Sequence, residues 1–162
     1  IVDKMPINFF SVGFLLNAMP EAKIIHMSRN PMAVCWSNYK SNFFDNIGMD
    51  YAHKLESIAE YYTIYNEMMN FWKKKYPMSL IEIDYDKFVL DYEKNSKLLI
   101  KKLGLNWEDK ILRFYENNRA VETNSLLQVR SNVYQGSSKN WKKYEKHLLP
   151  IMEILKKNNI EF

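Results

Sequence analysis

The run Lys23-Ile24-Ile25-His26-Met27 is followed closely by Arg29-Asn30-Pro31, and this junction constrains the fold more than any other stretch. The paired isoleucines, continued by His26 and Met27, predict a buried strand over residues 23–27. Asn30 suits a helix N-cap and Pro31 suits the first helical position, so a helix runs from Pro31 to about Asn42. A helix start presents unpaired N–H groups and the positive end of the helix dipole. Arg29 adds a planar charged fork just before it, and Ser37 adds a hydroxyl on the second turn. Together they predict an anion site suited to a phosphate. An ordinary strand–loop–helix joint with a surface arginine is the alternative reading of the same residues.

The remaining elements follow from periodicity and punctuation. Residues 7–19 are nearly all apolar and predict a helix buried against a sheet, ended near Pro20. In residues 53–75, Leu55, Ile58, Ala59, Tyr62, Tyr65, Met69 and Trp72 recur at three- and four-residue steps, the stripe of a long helix. Pro77 ends it, and residues 80–84 predict a second strand with Ile81 and Ile83 on one face. A short helix or turn over 86–90 precedes a helix over 92–103, with Gly104 as its C′ residue. Asn106 caps a further helix over 107–117. Residues 45–50 and 123–139 read as polar loops. The last helix covers 141–157, with Pro150 either kinking it or starting a second one, and the tail from Lys156 frays.

A chain of 162 residues with 47% hydrophobic and 26% charged residues fits one globular domain with its own core. The net charge of +4 gives a mildly basic surface, and the lysine pairs lie near helix ends. The one cysteine, Cys35, allows no internal disulfide and reads as a small buried hydrophobe. His26 ends a strand and reads as a satisfied structural histidine. No His, Cys, Asp and Glu residues stand at metal-ligand spacing, so no metal is expected. No apolar run approaches the ~20 residues of a membrane span.

Four segments in order carry a resemblance. They are Asp3-Lys4-Met5-Pro6, the junction from Arg29 to Ser37, the strand ending in Tyr85, and Thr123-Asn124-Ser125-Leu126-Leu127-Gln128-Val129-Arg130 with Tyr134 and Trp141 beyond. In this order they resemble sulfotransferases that use 3′-phosphoadenosine 5′-phosphosulfate (PAPS), most of all tyrosylprotein sulfotransferases and bacterial sulfotransferases fused to tetratricopeptide repeats. The resemblance implies an α/β, P-loop-type fold, a parallel sheet flanked by helices, and transfer of a sulfuryl group from PAPS to a hydroxyl acceptor. That acceptor is a peptide tyrosine, a carbohydrate or a small molecule. It implies that Arg29 and Ser37 bind the 3′-phosphate and that Lys4 stabilises the leaving phosphosulfate oxygen. Ser125 contacts the cofactor near the transferred group and Tyr85 lines the nucleotide site. The segment through Gln128, Arg130 and Tyr134 packs over the nucleotide. Lys139 lies one position from a basic residue that relatives carry before a Trp. A cytoplasmic enzyme with a nucleotide co-substrate, no nucleic-acid partner and no membrane segment follows.

The glycines depart from the pattern. Gly13, Gly48, Gly104 and Gly136 are the only four, and none lies in a glycine-rich loop able to wrap a 5′-phosphosulfate. The resemblance therefore implies a C-terminal part of a longer sulfotransferase, holding the 3′-phosphate half of the site and inactive alone. Two other classes use some of the same features. A basic, aromatic-rich chain fits a nucleic-acid-binding module if aromatics and cations share an exposed face. A P-loop phosphotransferase shares the strand–anion–helix logic but needs a Walker loop and a Mg²⁺ carboxylate, which the sequence lacks.

Overall fold

A computed structural model describes residues 1–41, 48–116, 133 and 135–162. They form two units, Ile1–Ile83 with Ser138–Phe162, and Asp84–Ser137. The first begins with a 3-10 segment, Pro6–Phe10, and continues through α1 (Val12–Ala18), β1 (Ile24–Ser28) and α2 (Pro31–Lys40). A 3-10 turn, Asp50–His53, leads into α3 (Leu55–Lys75) and then β2 (Leu80–Asp84).

The strands pair as a two-stranded parallel sheet. Ile24 N–H donates to the Ser79 carbonyl at 2.8 Å, and at the other end Ser28 Oγ donates to the Ile83 carbonyl at 3.2 Å. Parallel neighbours need a long crossover, here supplied by α2 and α3, so the mixed α/β class follows. On β1 the residues Ile24, His26 and Ser28 are half-buried, whereas Ile25 and Met27 are exposed. The half-buried face meets α3. His26 Nδ1 pairs with the Glu82 carboxylate and Nε2 with the Tyr65 hydroxyl, and Lys73 Nζ holds the second Glu82 oxygen at 2.6 Å. A carboxylate only accepts, so the proton of a neutral ring sits on Nδ1 and Nε2 accepts from Tyr65. His26 is thus a satisfied structural residue that ties both strands to α3.

The stripe of α3 builds the core as its spacing predicts. Ile58, Ala59 and Tyr62 pack with Met32, Ala33 and Cys35 of α2, and with Trp141, Leu148, Ile151, Leu155 and Ile160 near the C-terminus. Met69 joins Phe9 and Leu80 in a second cluster. Each fully buried large aliphatic side chain contributes roughly 1.5–3 kcal/mol.

Three expected helices differ. Residues 7–19 divide at Ser11 (φ −103°, ψ 2°), whose N–H closes a 3-10 turn onto the Asn8 carbonyl at 2.9 Å. The division lets Gly13 lie against Trp72, whose indole N–H donates to the Phe9 carbonyl at 2.8 Å. Residues 141–157 divide as well, into a 3-10 segment, Ser137–His147, and α6 (Leu149–Lys157), with Pro150 in the first turn of α6. Proline does start a second helix here. The tail does not fray. Asn159 (φ 55°) is left-handed, its N–H bonds the Lys156 carbonyl at 3.0 Å, and Ile160 N–H bonds the Leu155 carbonyl at 2.9 Å. This Schellman closure buries Ile160, and Phe162 meets Trp141 edge to face at 6.2 Å.

The second unit holds α4 (Tyr85–Leu90), α5 (Tyr92–Lys102) and a 3-10 segment, Asp109–Glu116. The last replaces the helix expected over 107–117. It loses helical geometry at Arg113, and Trp107 Nε1 is drawn out of the helix to donate to Asp109 Oδ1 at 2.8 Å. Asp84 and Asp91 cap α4 and α5 by accepting from Lys87 N–H at 3.1 Å and Lys94 N–H at 3.3 Å. Gly104 (φ 73°) closes α5 as expected.

A Cβ on Gly13 would stand 2.6 Å from the Trp72 ring, which its hydrogen bond holds in place. Gly13→Ala is expected to destabilise the fold by roughly 1–3 kcal/mol in urea titrations, although alanine is the better helix former. Burial pushes the Cys35 thiol and the Tyr51 and Tyr65 hydroxyls up to about 12, with Glu82 adding to the shift at Tyr65. Raised folded values give stability that is present below the unfolded values and lost as pH rises through the folded ones. Denaturant midpoints are therefore expected to hold to about pH 9 and to fall toward about pH 12. Tyr65→Phe should make that fall shallower.

Candidate functional site

The site grows from the end of β1. Ser28 is tied to β2, so Arg29 leaves the sheet from a fixed point. Asn30 then caps α2, its Oδ1 accepting from Ala33 N–H at 3.0 Å, and its carbonyl accepts the first helical bond from Val34 at 3.1 Å. Pro31 has no N–H, so the amides of Asn30 and Met32 are those outside the cap and the ladder. No acidic residue stands in the first turn of α2. The opening is a set of donors with a positive dipole end, and its dominant charge is Arg29.

Arg29 is half-buried, and its Nε donates to Ser138 Oγ at 2.6 Å. Ser138 is buried in the first turn of the 3-10 segment that carries Trp141 into the α2–α3 core. Trp36 of α2 packs its ring on Tyr144 of that segment at 4.4 Å, a second tie between the two elements. Ser37 is half-buried on the second turn of α2, and its hydroxyl has no hydrogen-bond partner among the described residues. Its carbonyl accepts from the Ser41 side chain at 2.7 Å where the helix ends.

The other expected site residues are scattered. Lys4 is exposed in the extended stretch before Pro6–Phe10. Its neighbour Asp3 accepts from Asn8 Nδ2 at 2.7 Å, which folds the Asp-Lys-Met-Pro segment onto the first turn. Lys4, Arg29 and Ser37 share one unit, and no side-chain bond joins them among the described residues. Tyr85 opens α4 and is half-buried in the second unit. Lys139 is exposed. Ser125, Gln128, Arg130 and Tyr134 lie outside the described residues. Ser138 was not singled out by the sequence. Its signal was its place three residues before Trp141, which a 3-10 repeat turns into a shared face.

The family model described as Sulfotransferase family matches residues 1–109. The chain belongs to the sulfotransferase family. In this sulfotransferase-family chain the match takes in Lys4, Arg29, Ser37 and Tyr85 and ends before Ser125 and Ser138. A protein of Aquifex aeolicus (strain VF5), described as an uncharacterized protein, is similar over 156 residues at 39% identity. The alignment covers 96% of this chain and 20% of that relative, so the chain spans about a fifth of the relative's length. Among the described residues no helix is long and apolar enough to cross a membrane. Several aromatics pack on one another: Phe9 meets Tyr61 and Tyr65 edge to face at 5.9 and 5.4 Å, and Tyr51 stacks on Tyr61 at 3.8 Å. This internal packing gives no support to a nucleic-acid-binding reading.

Proposed function

We propose that this chain holds the 3′-phosphate of PAPS in a sulfotransferase that transfers a sulfuryl group to a hydroxyl acceptor. The observation that carries the reading is Arg29. Its Nε is held at the mouth of α2 by the Ser138 hydroxyl, and it lies inside the family-matched segment. The donor set fits a dianionic phosphate. Arg29 supplies a charged planar fork, Ser37 a hydroxyl, and the start of α2 its dipole and remaining amides.

In such a transfer the sulfur–oxygen bond to the leaving phosphate breaks while the acceptor oxygen forms a new one to sulfur. The acceptor hydroxyl gives up its proton to a general base as that bond forms. By analogy with phosphoryl transfer the transition state is loose and in line, and charge develops on the leaving oxygen. The role for Lys4 is an ammonium beside that oxygen, which lowers the barrier electrostatically. Tyr85 and Ser125 are the proposed contacts along the nucleotide and near the transferred group, and Gln128, Arg130 and Tyr134 the proposed cover.

Titration calorimetry with adenosine 3′,5′-bisphosphate tests the reading. Arg29→Ala is expected to weaken binding by about 1.5–3 kcal/mol, the range for a hydrogen bond to a charged group. Binding of adenosine 5′-monophosphate should change far less. An affinity for the bisphosphate that Arg29→Ala leaves unchanged would remove Arg29 from the site and the reading with it.

A further inference from the structure

We propose that Ser138 is a positioning residue that sets the roll of the Arg29 guanidinium so that it meets the nucleotide's 3′-phosphate. The inference rests on the phosphate reading of Arg29 and adds a residue that neither the family-matched segment nor the motif spacing includes.

Arginine carries a single hydrogen on Nε, and the guanidinium is planar. A bond from Nε to a fixed acceptor therefore restrains the orientation of the plane and does not itself use the terminal N–H donors. Here the acceptor is Ser138 Oγ, 2.6 Å away and 109 residues on in the chain. Ser138 is 8% exposed, so water competes poorly for that hydroxyl. A carboxylate in the same place would hold the plane equally well but would neutralise the charge that the phosphate needs.

The scaffold behind Ser138 is rigid for reasons visible in the sequence. Trp141 follows by three residues in a 3-10 segment, so both side chains leave the same face. Trp141 is 5% exposed and packs in the cluster that contains Met32 and Ala33, the second and third residues of α2. The burial of one indole therefore delivers the serine hydroxyl to the start of the helix that Arg29 precedes. Trp36 against Tyr144 fixes the same two elements a second time.

The test is a double-mutant cycle on the protein with Ser138→Ala, Arg29→Ala and both, titrated with adenosine 3′,5′-bisphosphate and with adenosine 5′-monophosphate. Ser138→Ala should weaken the bisphosphate by about 3- to 10-fold, less than Arg29→Ala because Ser138 acts only through the guanidinium, and leave the monophosphate within about twofold. It should cause no further loss once Arg29 is alanine, because the two act as one unit. Ser138→Thr should restore the affinity, and melting temperatures report on folding. If Ser138→Ala does not fold, Ser138→Cys gives the same comparison, since a thiol accepts hydrogen bonds weakly. Full bisphosphate affinity in Ser138→Ala beside a weakened Arg29→Ala overturns the proposal while sparing the phosphate reading. Equal losses for both nucleotides, or additive losses in the double variant, also overturn it. No effect from Arg29→Ala removes the reading beneath and the proposal together.

Discussion

Removal of the α3 stripe from water is the interaction on which the first unit depends. One side of this helix takes the 3-10 segment Pro6–Phe10 and β2, through Phe9, Met69 and Leu80. Farther toward its N-terminus Ile58, Ala59 and Tyr62 take α2 and the C-terminal helix α6. Segments from both ends of the sequence therefore meet on one surface. Interiors are close-packed, so a displacement of α3 is felt in every element that it touches. The proposed anion site inherits its placement from that packing, because the start of α2 and the segment bearing Ser138 both dock there.

Polar ties add direction to the apolar packing. The hydrophobic effect is non-directional, whereas His26 between Glu82 and Tyr65 accepts one register of β1 beside β2 and one height along α3. Lys73 holds the second oxygen of this exposed carboxylate at 2.6 Å and so ties the end of α3 to β2 as well. The order of events along the sequence then matters for the site. A strand locked in register ends at a fixed residue, and the next residue is Arg29.

Much of the local architecture was legible in the sequence because it is set by neighbours. Asn30-Pro31 opening α2, the stripe of α3, Gly104 closing α5 and the buried Cys35 all follow from one residue type meeting one backbone requirement. The misreadings share a different origin. The division of residues 7–19 answers to Trp72, more than fifty residues away, and no window along the chain contains both partners. The order of the tail depends on Asn159 adopting a left-handed conformation that glycine signals clearly and asparagine only weakly. Ser138 has a plain local setting and gains meaning through Arg29, which approaches it from the other end of the sequence. Motif order therefore pointed to the family, while the contact between Arg29 and Ser138 needed three dimensions.

Cys35 lies fully buried where α2 meets α3, with its thiol held protonated by its apolar surroundings. Thiolate-seeking reagents find a target there only when those two helices part. The chain has no second cysteine to confuse the signal. The protein thus contains its own chronometer of core breathing: labelling rate as a function of denaturant separates brief local openings from whole-unit unfolding, with no probe engineered in.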